Sequence, residues 1–255
     1  MSPPPGVLLR GGCVAPPLRR QPWCVSVEPM QPGYDHLAAE YERAFPEAFR
    51  SPLERGVVAA FAEQVKECAA EGSVVDVGCG TGHVTAALAA AGVPVVGVDP
   101  SQAMLEIARA AHPELRFVRG TCDPVTWTQA LGADEPPAAV LARFSLIHVA
   151  PDRVPGILRS WAERLPIGGV VLVAFQAVDG GRAVVSFDHA VAPAWRWHPD
   201  VMADHLLRAG LTERWRTVSR PDADHRFPEC HLLAVKETSE PPAVPVSRGC
   251  SVDGC

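Results

Sequence analysis

Short runs of β-branched and other apolar residues alternate along the middle of the chain with longer segments whose apolar positions have helical spacing. The apolar runs predict strands near residues 73–77, 94–98, 115–118, 138–144 and 168–175. The remaining segments predict helices near residues 82–91, 101–111, 125–131 and 153–164. Alternation of this kind predicts a parallel sheet covered by helices on both faces.

Two further helices are predicted before this alternation. The first, from Tyr34 to Phe45, has apolar residues on one face. The second begins with the capping-box residues Ser51 and Glu54 and has a proline, Pro52, at its first position. The sequence therefore predicts that Glu54 caps this helix.

The pattern changes after Gln176. Residues 178–198 form a variable segment without a predicted element, and a helix follows at 199–209. Two strands, at 211–219 and 227–236, flank a polar turn. This closing hairpin predicts that the last strand of the sheet is antiparallel to the others.

A glycine-rich loop joins the first strand of the alternation to its helix. Residues 74–82 read Val-Val-Asp-Val-Gly-Cys-Gly-Thr-Gly, and the next strand ends at Asp99. Glycines allow a tight turn and a close approach of the backbone to a ligand. A carboxylate at the end of the neighbouring strand can accept hydrogen bonds from both hydroxyls of a ribose. The loop and Asp99 together predict a nucleotide-type ligand.

Two kinds of nucleotide ligand use such a layout. A nicotinamide dinucleotide site has the spacing G-x-G-x-x-G, whose third glycine lets the helix pack beside the pyrophosphate. Here His83 occupies that position, and an acid, Asp76, lies within the strand. The run from Val74 to Met104, with Gly-Val-Asp-Pro-Ser after the first motif, resembles the S-adenosylmethionine-binding core of class I methyltransferases. We therefore expect this cofactor to bind and nicotinamide dinucleotide not to bind.

The resemblance implies a fold and a set of cofactor contacts. The implied fold is α/β and Rossmann-like, a doubly wound, seven-stranded, mostly parallel sheet with an antiparallel last strand, helices on both faces and N-terminal lid helices. The loop is expected to wrap the methionine part of the cofactor, with Asp76 supporting the loop and Asp99 contacting the ribose. The adenine is expected near the backbone of Thr121 or Cys122. The expected cofactor-binding residues are Asp76, Gly78, Cys79, Gly80, Gly82, Asp99, Pro100, Met104, Thr121, Cys122 and Ser145.

The residues expected near the methyl acceptor follow the fourth strand or lie in the first helix. His148, in Ser-Leu-Ile-His, is expected near the sulfonium, either as a general base or as a group that only hydrogen-bonds the cofactor loop. The pattern that contains Tyr34 and Tyr41 resembles the lid helix of the family. Tyr34 is a candidate catalytic residue and Tyr41 a candidate substrate contact, with packing of an amphipathic helix as the alternative.

Aromatic residues in the variable segment are a further candidate. Trp195, Arg196 and Trp197 would form an acceptor pocket with a cationic anchor, or would pack as alternate residues of a strand. His231, in the last predicted strand, is expected to be a half-buried histidine of the sheet.

Charge and missing motifs narrow the acceptor. The 255 residues carry a net charge of −6 and lack a basic run with interleaved aromatics, which disfavours nucleic acid as a partner. The fourth strand lacks the Asn/Asp-Pro-Pro-Tyr typical of enzymes that methylate amide or adenine nitrogens. The prediction is methyl transfer from S-adenosyl-L-methionine to an O, N or C atom of a small organic acceptor. A protein or RNA methyltransferase and a non-catalytic cofactor-binding protein remain alternatives.

Cysteine spacing and the chain ends complete the predictions. The eight cysteines form no Cys-x-x-Cys pair and no zinc spacing, so we predict no metal site and expect the reduced thiols of a cytoplasmic protein. No apolar run reaches membrane-spanning length, so no membrane contact is expected. Residues 1–32 are predicted to be a disordered extension, with Met30 as an alternative start, and 237–255 a disordered tail. Between them, 33–236 is the predicted methyltransferase domain, in a monomer or homodimer.

Overall fold

The computed structural model of the chain describes residues 33–68, 72–131, 137–223 and 225–237. The predicted extension at 1–32 and the predicted tail after Glu237 lie outside the described residues. The elements are α1 (Gly33–Ala44), α2 (Pro52–Glu67), β1 (Val74–Val77), α3 (His83–Ala90), β2 (Val95–Asp99), α4 (Gln102–Ala111), β3 (Arg116–Arg119), α5 (Val125–Leu131), β4 (Ala139–Arg143), α6 (Val154–Arg164), β5 (Val170–Gln176), β6 (Val184–Phe187), β7 (Ala194–Trp197), α7 (Pro199–Arg208), β8 (Leu211–Val218) and β9 (Glu229–Lys236).

The main sheet has seven strands in the order β3-β2-β1-β4-β5-β9-β8. The pairs from β3 to β5 are parallel, whereas β9 is antiparallel to both of its neighbours. The predicted seven-stranded, mostly parallel sheet with an antiparallel last strand is therefore confirmed. The strand order reverses at β1, which has β2 on one side and β4 on the other. In open α/β sheets, ligands bind at such a switch point, beyond the carboxyl ends of the strands.

The core lies on both faces of this sheet because side chains alternate along each strand. On one face Val75 packs in a cluster that includes Trp127 and Trp161. On the other face Val74 packs in a cluster that includes Phe61 of α2 and Leu172 of β5. The strands are thus fixed from both sides, which holds their carboxyl ends in a defined arrangement.

The capping box predicted for α2 forms only in part. The Ser51 hydroxyl accepts a hydrogen bond from the Glu54 amide at 3.2 Å, as expected of an N-cap. The Glu54 carboxylate accepts instead from the Arg50 amide at 3.1 Å and from the Arg143 guanidinium at 2.9 Å. Glu54 is 4% exposed, and its carboxylate serves the interior rather than the helix end alone.

Two features of the C-terminal part differ from the predictions. The variable segment 178–198 contains an antiparallel hairpin, β6 paired with β7, as a separate small sheet. His231, predicted to be half-buried, is 1% exposed, because β9 lies inside the sheet between β5 and β8. Among the described residues, no helix combines the length and the apolar character that crossing a bilayer requires.

Candidate active site

A cavity of about 670 Å³ opens at the carboxyl ends of β1 and its neighbours. Ten of the predicted cofactor residues line it: Asp76, Gly78, Cys79, Gly80, Asp99, Pro100, Met104, Thr121, Cys122 and Ser145. Tyr34, Tyr41 and His148 line it as well. One cavity is therefore lined both by residues predicted to bind the cofactor and by residues predicted near the methyl acceptor.

Gly82 is the predicted cofactor residue that does not line the cavity. Its φ is +86°, and a Cβ there would come within 2.8 Å of the Phe117 ring. The glycine is needed so that the loop can pack against β3, since a side chain would collide with that ring. Its role is to shape the loop rather than to face a ligand.

The loop approaches the end of β4 most closely at Gly78. Its φ is +76°, and a Cβ at this position would overlap the Cβ of Ser145. The amides of Gly78 and Cys79 both donate to the carbonyl of Val98, at 2.7 and 3.1 Å, and so join the loop to β2. Only glycine satisfies both the left-handed backbone and this close contact.

Asp99 fixes the loop and the start of α4. One carboxylate oxygen accepts from the Gly80 amide at 2.9 Å, and the other accepts from the Ser101 amide at 2.8 Å. Each carboxylate oxygen has a second lone pair, so these bonds leave acceptor capacity toward the cavity. Burial raises the pKa of Asp99, and the hydrogen bonds from Ser101 and Gly80 oppose that rise.

Asp76 lies beneath the loop and is almost fully buried. Its carboxylate accepts a hydrogen bond from the Thr85 hydroxyl of α3 at 2.6 Å. Burial raises the pKa of Asp76 to about 6, and the Thr85 hydrogen bond opposes the rise. The bond links β1 to the helix after the loop.

The first helix is held over the cavity by a carboxylate. One oxygen of Asp35 accepts from the Ser101 hydroxyl at 2.7 Å and from the Ala103 amide at 3.1 Å. Glu42, on the same helix, lies 3.1 Å from His83 at the start of α3. These contacts attach α1 to both helices that follow the cofactor loop, so that its tyrosines face the cavity.

His148 connects α1 to the β6–β7 loop. Its Nδ1 lies 3.0 Å from the Pro193 carbonyl, and its Nε2 lies 2.9 Å from the Tyr34 hydroxyl. A carbonyl only accepts, so Nδ1 carries the proton of the neutral ring and Nε2 accepts from Tyr34. Burial lowers the pKa of His148, while the Pro193 hydrogen bond opposes this. Burial raises the pKa of Tyr34 well above its usual value. The pair is therefore a neutral imidazole and a protonated phenol.

The segment between β4 and His148 has a strained backbone. Phe144 has a φ of +54°, a conformation that is rare for a bulky residue and is commonly associated with functional sites. Ser145 follows it, and its buried hydroxyl has no hydrogen-bond partner among the described residues. The strained turn therefore presents a free hydroxyl to the cavity beside Gly78.

The residues predicted near the adenine make local hydrogen bonds. The Thr121 amide donates to Thr126, and the Thr121 hydroxyl accepts from the Asp123 amide. The Cys122 carbonyl accepts from the Trp161 indole at 2.8 Å. Both residues line the cavity.

The three aromatic-segment residues predicted as an acceptor pocket are not among those that line the cavity. Trp197 is 1% exposed and packs in the main core. The Arg196 guanidinium lies 4.1 Å from the centre of the Phe227 ring. Because they belong to β7, Trp195, Arg196 and Trp197 pair with β6 instead. The packing alternative describes them better than the pocket does.

Several cavity residues were not predicted from the sequence. They are Phe45, Arg50, Glu54, Arg143, Gln176, His189 and Glu229. Arg143 and Gln176 end β4 and β5, so their positions at strand ends are a signal that could have identified them. Glu229 starts an antiparallel strand, and nothing local in the sequence marks it.

The doubly wound sheet, the glycine loop at its switch point and the acid that ends the next strand define a Rossmann-like methyltransferase fold of class I. A family model described as "Methyltransferase domain" matches residues 74–169, a range that contains the loop, Asp99 and His148. The motif, the fold and this match together make residues 74–169 similar to class I S-adenosylmethionine-dependent methyltransferases.

Curated relatives resemble part of the chain. Trans-aconitate 2-methyltransferase of Delftia acidovorans is 41% identical over 102 residues, which are 39% of this chain and 36% of that protein. Demethylmenaquinone methyltransferase of Paenarthrobacter aurescens is 29% identical over 151 residues, which are 59% of this chain and 51% of that protein. The matched region thus spans about a third to a half of these relatives.

Solved structures share the fold over more of the chain. The CcbJ methyltransferase of Streptomyces caelestis has a TM-score of 0.58 and 22% identity, covering 82% of this chain and 99% of that chain. The 1,6-didemethyltoxoflavin-N1-methyltransferase of Burkholderia thailandensis, solved with its named substrate and S-adenosylhomocysteine, has a TM-score of 0.56 and 17% identity. It covers 79% of this chain and 88% of that chain. At these identities the likeness establishes the fold.

S-adenosylmethionine is the cofactor of this family, and the residues present fit it. A Cβ at Gly80 would meet no atom within 4 Å, so there is open space beside the loop. The unpartnered Ser145 hydroxyl and the remaining lone pairs of Asp99 supply polar groups at its border. These groups and the loop would hold the cofactor, and the cavity volume is within the range of roughly 300–1,000 Å³ typical of small-molecule sites.

Proposed function

We propose that this protein transfers a methyl group from S-adenosyl-L-methionine to an oxygen, nitrogen or carbon atom of a small organic acceptor. One observation carries the proposal: the same cavity is lined by the glycine loop with Asp99 and by the hydrogen-bonded pair of Tyr34 and His148. The names of two relatives, which refer to trans-aconitate and demethylmenaquinone, agree with a small acceptor.

When bound, the cofactor supplies a methyl group on a sulfonium, and its transfer depends mainly on positioning and on a nucleophilic acceptor. His148 Nε2 is the atom that takes the acceptor's proton, because Nδ1 is committed to the Pro193 carbonyl. Burial keeps the ring neutral and hence able to accept. Tyr34 donates to the same Nε2. An acceptor O–H or N–H takes the place of this phenol when it binds.

The surroundings of His148 favour a small acceptor over a macromolecule. The imidazole is bonded on one side to α1, through Tyr34, and on the other to the β6–β7 loop, through Pro193. Ala190 and Val191 of that loop also line the cavity. A protein or RNA chain would have to separate α1 from this loop, whereas a small molecule would fit between them.

The test is formation of S-adenosylhomocysteine by the full chain with a panel of small hydroxy acids, amines, phenols and quinols, compared with total protein and total RNA. We expect turnover with a member of the small-molecule panel. In that assay His148→Gln should lower kcat by roughly 10²–10⁴-fold, and the matched variant His205→Gln, outside the cavity lining, should not. Transfer to protein or RNA alone would contradict the small-acceptor proposal. Cofactor binding without transfer to any substrate would favour a non-catalytic role.

A further inference from the structure

Three buried side chains converge at the β9 side of the cavity. Glu54 comes from α2, Glu229 is the first residue of β9, and His225 lies in the turn before that strand. One ligand atom from each lies within 4.8 Å of the other two. Strands are spaced by about 4.8 Å, so β9, three strands from β1, is roughly 14 Å from the glycine loop. None of these three residues is among those expected to hold the cofactor.

His225 points an unpartnered nitrogen at the two carboxylates. Its side chain is 8% exposed, and Nε2 lies 3.5 Å from a Glu54 oxygen and 3.9 Å from a Glu229 oxygen. These separations are longer than an N–H···O hydrogen bond, and Nε2 has no hydrogen-bond partner among the described residues. Separations of this size are close to those between ligand atoms around a shared cation, and a bound cation would draw the three ligand atoms together.

A carboxylate behind the ring sets its tautomer. His225 Nδ1 lies 2.7 Å from an Asp222 oxygen, which also accepts from the His225 amide at 2.8 Å. A carboxylate acceptor places the ring proton on Nδ1 and leaves the Nε2 lone pair facing Glu54 and Glu229. A carboxylate that hydrogen-bonds one nitrogen of a histidine while the other binds metal is the usual outer shell of metal sites.

The two glutamates retain oxygens for a ligand. Arg143 bonds one Glu54 oxygen, Oε2, at 2.9 Å, and His225 faces the other, Oε1. Glu229 is 7% exposed, and one of its carboxylate oxygens lies 3.9 Å from His225 Nε2. Arg143 offsets part of the charge from the Oε2 side of Glu54. A cation between Glu54 Oε1, Glu229 and the His225 lone pair would offset the repulsion that remains among these groups.

We propose that Glu54, Glu229 and His225 bind a divalent first-row transition-metal ion, through one oxygen of each carboxylate and the imidazole Nε2. Mixed oxygen and imidazole ligands suit Mn²⁺ or Zn²⁺ better than Mg²⁺, which takes oxygen and water ligands. Three protein ligands leave coordination positions open, which is typical of ions that contact a bound molecule. Glu54 and Glu229 both line the cavity, so the ion would be within reach of a molecule bound there. The ion site does not depend on methyl transfer.

The test uses the full chain after treatment with a chelator, with Mn²⁺ as the first probe because thiols bind it poorly. We expect one saturable Mn²⁺ site by calorimetry and electron paramagnetic resonance, and a rise in melting temperature with Mn²⁺. Asp222→Asn should weaken binding by about 10–100-fold. His225→Gln and Glu229→Gln should weaken it more. His112→Gln, which removes another histidine with an unpartnered Nε2, should bind like the wild type.

Two results would overturn the proposal. One is no saturable binding of Mn²⁺ or Zn²⁺ to the wild-type chain, which would mean that a protonated His225 forms ion pairs with the carboxylates instead. The other is wild-type affinity in a folded His225→Gln variant, which would place any bound ion elsewhere. If His225→Gln fails to fold, the paramagnetic spectrum of Mn²⁺ on the wild type, with or without nitrogen coupling, decides the same question. None of these measurements needs the cofactor or an acceptor, so their failure is distinguishable from failure of the proposed function.

Discussion

The contact between Gly78 and Ser145 makes the most specific prediction about the cofactor loop. Gly78→Ala keeps the chemistry of the loop but adds a Cβ to a residue at φ +76° that would overlap Ser145 Cβ. The left-handed backbone costs an alanine roughly 1–2 kcal/mol, and overpacking costs roughly 1–3 kcal/mol more. We therefore expect the free energy of unfolding to fall by roughly 2–5 kcal/mol, or the loop to shift.

Two further variants separate these contributions. Gly80→Ala has the same kind of backbone, with φ +55°, but its Cβ would meet no atom within 4 Å. It should therefore lose only the roughly 1–2 kcal/mol backbone cost. Adding Ser145→Gly to Gly78→Ala removes the overlapping atom. The free energy of unfolding of the double variant should therefore be roughly 1–3 kcal/mol higher than the sum of the two single effects predicts.

The assay is urea unfolding of the wild type, the three single variants and the double variant, with S-adenosylhomocysteine affinity measured on each folded protein. In Gly78→Ala the affinity should fall together with stability, because the loop that lines the cavity is displaced. Equal destabilisation by Gly78→Ala and Gly80→Ala, with no coupling to Ser145, would show that the loop does not approach β4 as described.

Three more predictions concern single groups. Burial raises the pKa of Asp76 to about 6 from 3.8, so the folded state binds the carboxyl proton more tightly than the unfolded state does. The stability that this proton gives is fully present below pH 3.8 and is lost as the pH rises through about 6. In urea unfolding, Asp76→Asn should therefore gain about 2–3 kcal/mol relative to the wild type between pH 4 and 7. Because burial lowers the pKa of His148, the acid limb of kcat/KM should lie below about pH 6.5 and should disappear in His148→Gln. Asp35→Ala removes the acceptor for Ser101 and Ala103, so hydrogen exchange in α1 should speed up, while an unchanged rate would show that this carboxylate does not hold the helix.

The parts of the site that were predictable are those encoded within a short stretch of chain. The glycine loop and Asp99 lie in adjacent βα units, and the parallel order of their strands brings them together whatever the rest of the chain does. Short apolar runs likewise predicted the strands of the main sheet. Gly82 shows the limit of a motif, since its packing against Phe117 depends on β3.

The parts that were not predictable depend on contacts between distant segments. Glu54 has the spacing of a helix cap, but Arg143 at the end of β4 draws its carboxylate into the interior. Glu229 reaches the cavity only because β9 is antiparallel and lies beside β5. The β6–β7 hairpin is short and mixed in polarity, so the sequence left a pocket and strand packing open for Trp195, Arg196 and Trp197, which pair with β6 in a small separate sheet. Tertiary contacts, not residue type, decided these cases.

Calorimetric titration of the full chain with S-adenosylhomocysteine tests the central claim most directly, namely that the glycine loop and Asp99 form a cofactor site. We expect one saturable site of micromolar affinity. We also expect no binding of nicotinamide dinucleotide, because His83 replaces the third glycine. Asp99→Asn, which keeps the shape of the side chain, should lose about 1.5–3 kcal/mol of binding free energy, as for a hydrogen bond to a charged group. No heat and no thermal shift at millimolar S-adenosylhomocysteine, or full affinity in a folded Asp99→Asn variant, would contradict the account.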